Sequence, residues 1–210
     1  AGAGVLAVDL VMAGEVQNAF CAVRPPGHHA ERATAMGFCF FNNIAVAAAH
    51  ALEAHKLSRV AVVDFDVHHG NGTEDCFKGN EHVLMVSTFQ HPFYPYSGTE
   101  HPAANMLNVP LGRGTDGEEF RRVVSDLWMP RLREFQPEMI FISAGFDAHY
   151  EDEMGGLSLL EKDYAWVTEQ VKQIADESAQ GRIVSMLEGG YSLSALARSV
   201  VCHLRVLADF

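Results

Sequence analysis

The chain has 210 residues, of which 48% are apolar and 20% charged, and its formal net charge at pH 7 is −12; this is typical of one globular domain with a sizeable core. The acidic balance argues against a nucleic-acid-binding surface, which needs a basic footprint, but it suits a cationic substrate such as a lysine-rich tail or a polyamine. No apolar run approaches the roughly 18 residues of a membrane span, and no signal peptide is recognisable.

The apolar periodicity alternates between strands and helices. The predicted elements, in chain order, are a helix from about Ala3, a strand at 20–23, a loop at 24–41, a helix at 42–55, a strand at 59–63, a short helix at 73–77, a strand at 83–88, a long loop at 89–115, a helix at 117–134, a strand at 139–143, a helix at 159–177, a strand at 182–187 and a helix at 192–207. This alternation predicts one α/β domain over residues 1–210, with three α/β/α layers and a mainly parallel sheet.

The cysteines predict an intracellular, cytoplasmic protein. Cys21, Cys39, Cys76 and Cys202 lie far apart, and none belongs to a C-x-x-C pair. Isolated cysteines of this kind are typical of reduced residues in intracellular proteins, where disulfide bonds are rare. We therefore expect free thiols.

The densest cluster of chemically active side chains follows the strand at 59–63. Residues 64–72 read DFDVHHGNG, so carboxylates and imidazoles stand where a buried strand ends and a turn begins. In open parallel α/β sheets, ligands bind at this position. With period-two spacing, Asp64, Asp66 and His68 share one side of the extended chain. Oxygen and nitrogen ligands in this combination favour a divalent metal, with zinc as the first choice.

Three other predicted strand ends carry candidate catalytic groups. His28 and His29 are adjacent in a Pro/Gly loop, and imidazole is the commonest general acid or base. Asp147 follows the strand at 139–143 and is either a third metal ligand or a helix N-cap. Tyr191 follows a glycine pair and is either an oxyanion donor or a packing residue. Since successive strand ends line one edge of a parallel sheet, we expect these groups to converge.

The motifs resemble those of the zinc-dependent histone deacetylases with the arginase/deacetylase fold. From about Val16 to Leu207, the chain contains in family order RPPGHHA, GFCFFNN, DFDVHHGNGTED, AGFDA and LEGGY. The asparagine in HHGNG is more similar to the class II branch and its bacterial homologues, the histone deacetylase-like amidohydrolases, than to class I.

The resemblance implies a role for each motif residue. The implied zinc ligands are Asp66, His68 and Asp147, and Fe²⁺ is a possible replacement for Zn²⁺. The implied catalytic residues are the tandem histidines His28 and His29, their partners Asp64 and Asn71, and the carbonyl-polarising Tyr191. The implied substrate tunnel is lined by Gly37, Phe38, Tyr94, Met154 and Gly189. Structural K⁺ or Na⁺ would bind at two sites, one formed by Asp64, Asp66, His68, Ser87 and Thr88, and one by main-chain oxygens near Phe77, Asn80, Val83 and Asn105.

The implied activity is removal of acetyl or other acyl groups from lysine side chains of proteins or peptides by metal-activated water, and hydroxamate-type inhibitors are expected to bind. An acetylpolyamine hydrolase is the main alternative, although Met154 stands where we place the glutamate of polyamine-preferring members; Glu151, Asp152 and Glu153 lie nearby. A binuclear manganese, arginase-like hydrolase would need extra carboxylates, and the positions concerned hold Gly70 and His149. A non-enzymatic scaffold with the same fold is a further alternative.

The start of the chain differs from the family pattern. Family members have about a hundred residues before this point, and these residues supply an edge of the sheet and a loop at the tunnel rim. We therefore expect that the N-terminal part of the domain is absent and that the sheet has an uncovered edge. Such an edge favours pairing with another chain, which predicts either a homo-oligomer or completion by a separate N-terminal segment.

Overall fold

The computed structural model describes residues 1–100 and 102–210, and its central feature is a six-stranded sheet with the order β1-β6-β5-β2-β3-β4. In chain order, the elements are α1 (Gly2–Met12), β1 (Asn18–Cys21), α2 (Asn43–Glu53), β2 (Val60–Asp64), α3 (Asn71–Phe77), β3 (Val83–Gln90), β4 (Met106–Leu111), α4 (Gly117–Val123), a π-helical turn (Val124–Trp128), α5 (Met129–Phe135), β5 (Met139–Ala144), α6 (Glu161–Ser178), β6 (Ile183–Leu187) and α7 (Leu193–Leu207). All neighbouring strands pair in parallel.

Two apolar clusters cover the two faces of the sheet. Along β2, Ala61 and Val63 belong to the cluster that also contains residues of α4, α5 and α6, whereas Val60 and Val62 belong to the cluster with residues of α1 and α2. This alternation follows the period of two that side chains have in a strand. It confirms the predicted three-layer α/β/α architecture with a parallel sheet.

The strand order reverses direction between β2 and β5. The chain runs outward from β2 through β3 to β4, then returns to β5 and continues in the opposite direction to β6. Strands β2 and β5 are hydrogen-bonded neighbours, with Asp64 in register with Ser143. A reversal of this kind opens a crevice at the carboxyl ends of the two strands, where open α/β sheets bind ligands.

Two predicted elements differ from the structure. The segment 89–115, predicted as a loop, contains the outer strand β4. Pro110 lies within β4 and obscured the strand pattern, because proline is tolerated in a sheet only at an edge or a bulge. The predicted helix at 117–134 is divided by the π-helical turn, which ends just before Pro130. Proline has no N–H to donate to the preceding turn, so the hydrogen-bond ladder is interrupted there.

The outer strands are β1 and β4, and β1 pairs with β6. Whether another chain or copy covers an edge of this sheet stays a prediction. The four cysteines are free thiols. Among the described residues, none of the helices combines the length and apolarity needed to cross a bilayer.

A buried histidine links β6, α6 and α7. His203 Nδ1 lies 2.7 Å from Thr168 Oγ1, and its Nε2 lies 2.9 Å from Ser185 Oγ. The Thr168 hydroxyl donates to the carbonyl oxygen of Tyr164 and therefore accepts from Nδ1–H, which leaves Nε2 to accept from Ser185. Burial lowers the pKa of His203 to about 3, so the ring is neutral in the folded protein.

We expect His203 to steepen the loss of stability in acid. Its folded pKa lies below the ordinary value of 6.5, so the unfolded chain binds the extra proton, and stability is lost as the pH falls from about 6.5 towards 3. The contribution should be roughly 1 kcal/mol per pH unit. Urea unfolding at several pH values should give a shallower slope for His203→Gln than for wild type, and an unchanged slope for a control at the exposed His82. Parallel curves for His203→Gln and wild type would contradict this.

Candidate active site

Four loops at the carboxyl edge of the sheet bring the candidate residues together. The loop after β1 carries His28 and His29, and the loop after β2 carries the Asp66–His68 segment. Asp147 follows β5, and Tyr191 follows β6. Because β6, β5 and β2 are consecutive in the sheet, their loops are neighbours in space although they are far apart in sequence.

Asp66, His68 and Asp147 form a compact and buried group, with one ligand-type atom from each lying within 4.8 Å of the others. His68 Nδ1 is 3.0 Å from Asp66 Oδ1 and 3.2 Å from Asp147 Oδ2. Backbone amides satisfy the other carboxylate oxygens, since Val67 N donates to Asp147 Oδ1 at 2.9 Å and Gly189 N donates to Asp66 Oδ2 at 2.8 Å. Asp147 Oδ2 is buried and accepts no hydrogen bond of normal geometry, although His68 Nδ1 lies 3.2 Å away. A buried carboxylate oxygen without such a bond is the feature that a metal ion would explain.

Gly189 stands directly against these carboxylates. A Cβ atom on Gly189 would lie 1.9 Å from Asp147 Oδ2 and 2.6 Å from Asp66 Oδ2. Gly145 is equally constrained, with a Cβ position 2.1 Å from Asp66 Oδ2. These two glycines are therefore required by the close approach of backbone to carboxylate, and Gly189, which was predicted to line the substrate tunnel, contacts the ligand group itself.

The tandem histidines each have a side-chain partner for Nδ1. His28 Nδ1 lies 3.0 Å from Asp64 Oδ2, and His29 Nδ1 lies 2.8 Å from Asn71 Oδ1. The amide nitrogen of Asn71 donates to Glu31 Oε1 at 2.8 Å, so Oδ1 is the acceptor for His29. His29 is consequently protonated on Nδ1, and its Nε2 is left with a lone pair.

The two histidines differ in charge because their surroundings differ. Burial opposes the charged form of His28, but the carboxylates of Asp66 and Asp64 outweigh this and raise its pKa well above the ordinary value. Burial, together with the positive charge of His28, lowers the pKa of His29 to about 3. His28 is therefore cationic and His29 neutral, and the neutral imidazole of His29 can act as a base at neutral pH.

Two buried carboxylates that sequence reasoning missed bind backbone amides of the loops that carry the tandem histidines and Tyr191. Glu188 Oε2 accepts from Gly27 N at 2.7 Å and from His28 N at 3.1 Å. Asp152 Oδ2 accepts from Tyr191 N at 2.6 Å and from Ser192 N at 2.9 Å. The LEGGY motif contains Glu188 but does not indicate its partners. These are backbone amides of a loop that is remote in sequence, and the residues around Glu188 do not specify them.

Tyr191 faces a cavity of about 420 Å³ that opens beside the metal-ligand group. The lining residues are His29, Gly37, Phe38, His68, Phe93, Tyr94, Glu153, Met154 and Tyr191. Four of the five predicted tunnel residues are in this set, as is Glu153, which lies next to Met154 in sequence, whereas Phe93 was not anticipated. Burial and the negative charges of Asp147 and Asp66 raise the pKa of the Tyr191 hydroxyl, which therefore keeps its proton.

The predicted monovalent-cation sites coincide with two polar clusters. At the first, Asp64 is in register with Ser87 in the neighbouring strand, and both residues are buried, as are Thr88, Asp66 and His68. At the second, the carbonyl oxygens of Phe77, Asn80 and Val83 converge on Asn105 Nδ2 at distances of 2.9, 3.1 and 2.9 Å. An amide nitrogen has only two hydrogens for these three acceptors. Binding of K⁺ or Na⁺ at either cluster stays a prediction.

Comparisons with known proteins agree with the motifs. A family model described as the histone deacetylase domain matches residues 1–207. The chain is 39% identical to Histone deacetylase 14, chloroplastic, of Arabidopsis thaliana, covering 99% of this chain and 52% of that protein. It is also 39% identical to Polyamine deacetylase HDAC10 of Homo sapiens, covering 99% of this chain and 32% of that protein.

A solved structure, the crystal structure of the HDA15 HD domain, matches with a TM-score of 0.93 at 35% identity, covering 99% of this chain and 61% of that one. The chain thus spans less than two thirds of each of these three relatives. The family model covers nearly all of the chain, and the chain belongs to the histone deacetylase family.

Proposed function

We propose that this chain is a metal-dependent deacetylase that hydrolyses the acetyl amide of an acylated lysine in a protein or peptide. One observation carries the proposal: the group Asp66, His68 and Asp147 adjoins the same cavity that His29 and Tyr191 line. A general base, an oxyanion donor and a candidate metal centre around one cavity are the components of metal-assisted amide hydrolysis. Residues 1–210 would then form one catalytic domain, acting in the cytoplasm.

The residues present fit a divalent ion. Asp147 Oδ2 accepts no hydrogen bond of normal geometry, and burial together with the charge of Asp66 raises the pKa of Asp147 to about 6. Both facts indicate a site short of positive charge. Two carboxylates and one imidazole suit Zn²⁺, and Fe²⁺ is the alternative that we retain. When bound, such an ion supplies Lewis acidity towards the attacking water and the carbonyl oxygen.

His29 is the proposed general base. Its Nδ1–H is held by Asn71, its Nε2 is free, and its low pKa keeps the ring neutral at physiological pH. Nε2 would take a proton from the attacking water and later return it to the leaving amine. His28, cationic beside Asp64, would stabilise the negative charge that develops in the transition state.

Tyr191 is the proposed donor to the developing oxyanion. Its raised pKa keeps the phenol protonated, and its backbone is fixed by Asp152 on the loop that also carries Met154. A fixed donor requires little rearrangement at the moment of reaction, which is how preorganised groups lower a barrier.

The cavity gives two candidate substrate classes. Phe38, Phe93 and Tyr94 provide aromatic walls for the methylene stem of an acyl-lysine. Glu153, which also lines the cavity, places a carboxylate where a secondary ammonium of an acetylated polyamine could bind. Glu153 is therefore the specific observation that favours small acetylated amines as the second candidate class, in spite of Met154.

A binuclear, arginase-like centre is not supported. A Cβ on Gly70 would lie 2.5 Å from Asp64 Oδ2, and the buried His149 faces Glu161 at 3.5 Å. Neither position offers a carboxylate for a second metal beside the first. Within residues 1–100 and 102–210, no further ligand group adjoins Asp66, His68 and Asp147.

Hydrolysis of a fluorogenic acetyl-lysine peptide should test the proposal. We expect turnover by the purified chain that is lost on chelation, restored by Zn²⁺ and inhibited by a hydroxamate. Comparison of kcat/KM with acetylputrescine and acetylspermidine would rank the two substrate classes, and Glu153→Gln should lower only the polyamine values. Absence of turnover on every substrate, with zinc bound and the chain folded, would contradict the proposal and favour a non-enzymatic scaffold.

A further inference from the structure

A second group of metal-ligand side chains lies outside the active site, between α1 and the end of α2. Asp9 belongs to α1, His50 lies in the last turn of α2, and His55 lies two residues beyond the end of that helix. One ligand atom from each lies within 4.8 Å of the others. The proposed activity makes no use of this cluster.

The imidazoles converge on a single oxygen. His50 Nε2 and His55 Nε2 each lie 2.7 Å from Asp9 Oδ1, and the two rings meet edge to face with centroids 5.4 Å apart. Hydrogen bonds from both rings lower the pKa of Asp9, so the carboxylate is charged. Three potential metal-ligand atoms from separate parts of the chain therefore lie close together.

Hydrogen bonding alone gives little reason for this convergence. The three side chains are partly exposed, at 48% for Asp9, 25% for His50 and 26% for His55. Polar contacts between exposed groups contribute little to stability, since water competes for both partners and ordering the side chains costs entropy. A bound metal ion would stabilise this arrangement of side chains more than the hydrogen bonds do, since two imidazole nitrogens and a carboxylate oxygen are a typical zinc-binding set.

The sequence spacing fits the same chemistry. Four residues separate His50 from His55, and this falls within the three to five residues between paired histidines in structural zinc motifs. The end of α2 allows the spacing, because His55 lies past the helix and its ring can turn back towards His50. Asp9 supplies the third ligand from a different helix, so an ion at this point would cross-link α1 to α2.

We propose that Asp9, His50 and His55 form a second divalent-metal site that binds zinc-class ions and fastens α1 to the end of α2. Water completes the coordination, because the side chains are accessible to solvent. Such a site exchanges its metal more readily than the buried group at the catalytic edge.

Zinc stoichiometry tests this site independently of deacetylase activity. The full chain is dialysed against buffered Zn²⁺, and the metal is measured by elemental analysis. We expect two zinc ions per wild-type chain and one for His50→Gln/His55→Gln. The matched control, His82→Gln, alters an exposed histidine elsewhere and should retain two. Asp66→Asn/Asp147→Asn should also retain one ion, which would be held by the α1–α2 site.

Thermal unfolding provides the second readout. Added Zn²⁺ should raise the Tm of Asp66→Asn/Asp147→Asn, and this rise should vanish when His50→Gln/His55→Gln is added to the same chain. In EDTA, removal of the two histidines should change the Tm little, which would show that the effect depends on metal. The site is refuted if His50→Gln/His55→Gln binds as much zinc as wild type, or if folded Asp66→Asn/Asp147→Asn binds none.

Discussion

Tyr191→Phe is expected to lower kcat by a factor of about 10²–10³ while zinc content stays that of wild type. The substitution removes only the hydroxyl, which we propose donates to the oxyanion of the transition state. Phenylalanine retains the ring that lines the cavity, so substrate binding should change less than turnover. The measurements are steady-state kinetics on an acetyl-lysine peptide and elemental analysis of the purified variant.

Tyr150→Phe is the matched control for this experiment. Tyr150 is 58% exposed, follows the same β5 strand end as Asp147, and is not among the residues that line the cavity. Loss of its hydroxyl should leave kcat within about twofold, since surface substitutions away from special features have small effects. If Tyr191→Phe behaved like this control, Tyr191 would be a packing residue and the proposed oxyanion stabilisation would be wrong.

The sequence predicted the fold and the site best where a strand-like apolar pattern is followed directly by ligand-type residues. Buried strands followed by ligand-type residues predicted both the parallel sheet and the convergence at its carboxyl edge, because parallel strands necessarily bring those ends together. The hydrogen bond between His29 and Asn71 could be anticipated only from the family resemblance, since these residues are 42 positions apart in the sequence. Strand β4 was missed because Pro110 and polar neighbours resemble a loop when its partner β3 is unknown.

The supporting carboxylates could not be predicted for a different reason. Glu188 acts on the amides of Gly27 and His28 from 161 and 160 positions away, and Asp152 holds Tyr191 from 39 positions away. Backbone N–H groups are identical at every non-proline residue, so a sequence does not specify which carboxylate binds them. Only the folded geometry shows that these carboxylates bind the loops that carry the tandem histidines and Tyr191.

The close approach of Gly189 to the ligand group leads to the second strong expectation. Gly189→Ala should reduce zinc by one ion per chain and abolish measurable turnover. The new methyl group would lie 1.9 Å from Asp147 Oδ2, a separation that the carboxylate must relieve by moving. The backbone of Gly189 is outside the left-handed region, so alanine can adopt its conformation and the clash concerns the side chain alone.

Gly112→Ala is the control, because a Cβ at Gly112 meets no atom within 4 Å and its φ is also outside the left-handed region. Gly112→Ala should retain both zinc and activity. Thermal unfolding of Gly189→Ala should show a folded protein at the temperature at which its zinc content is measured. The result separates two roles for Gly189. Loss of zinc together with activity would place its effect at Asp66 and Asp147. Full zinc content with a raised KM would instead mean that the methyl group obstructs the substrate, which is the tunnel role that the family resemblance implies.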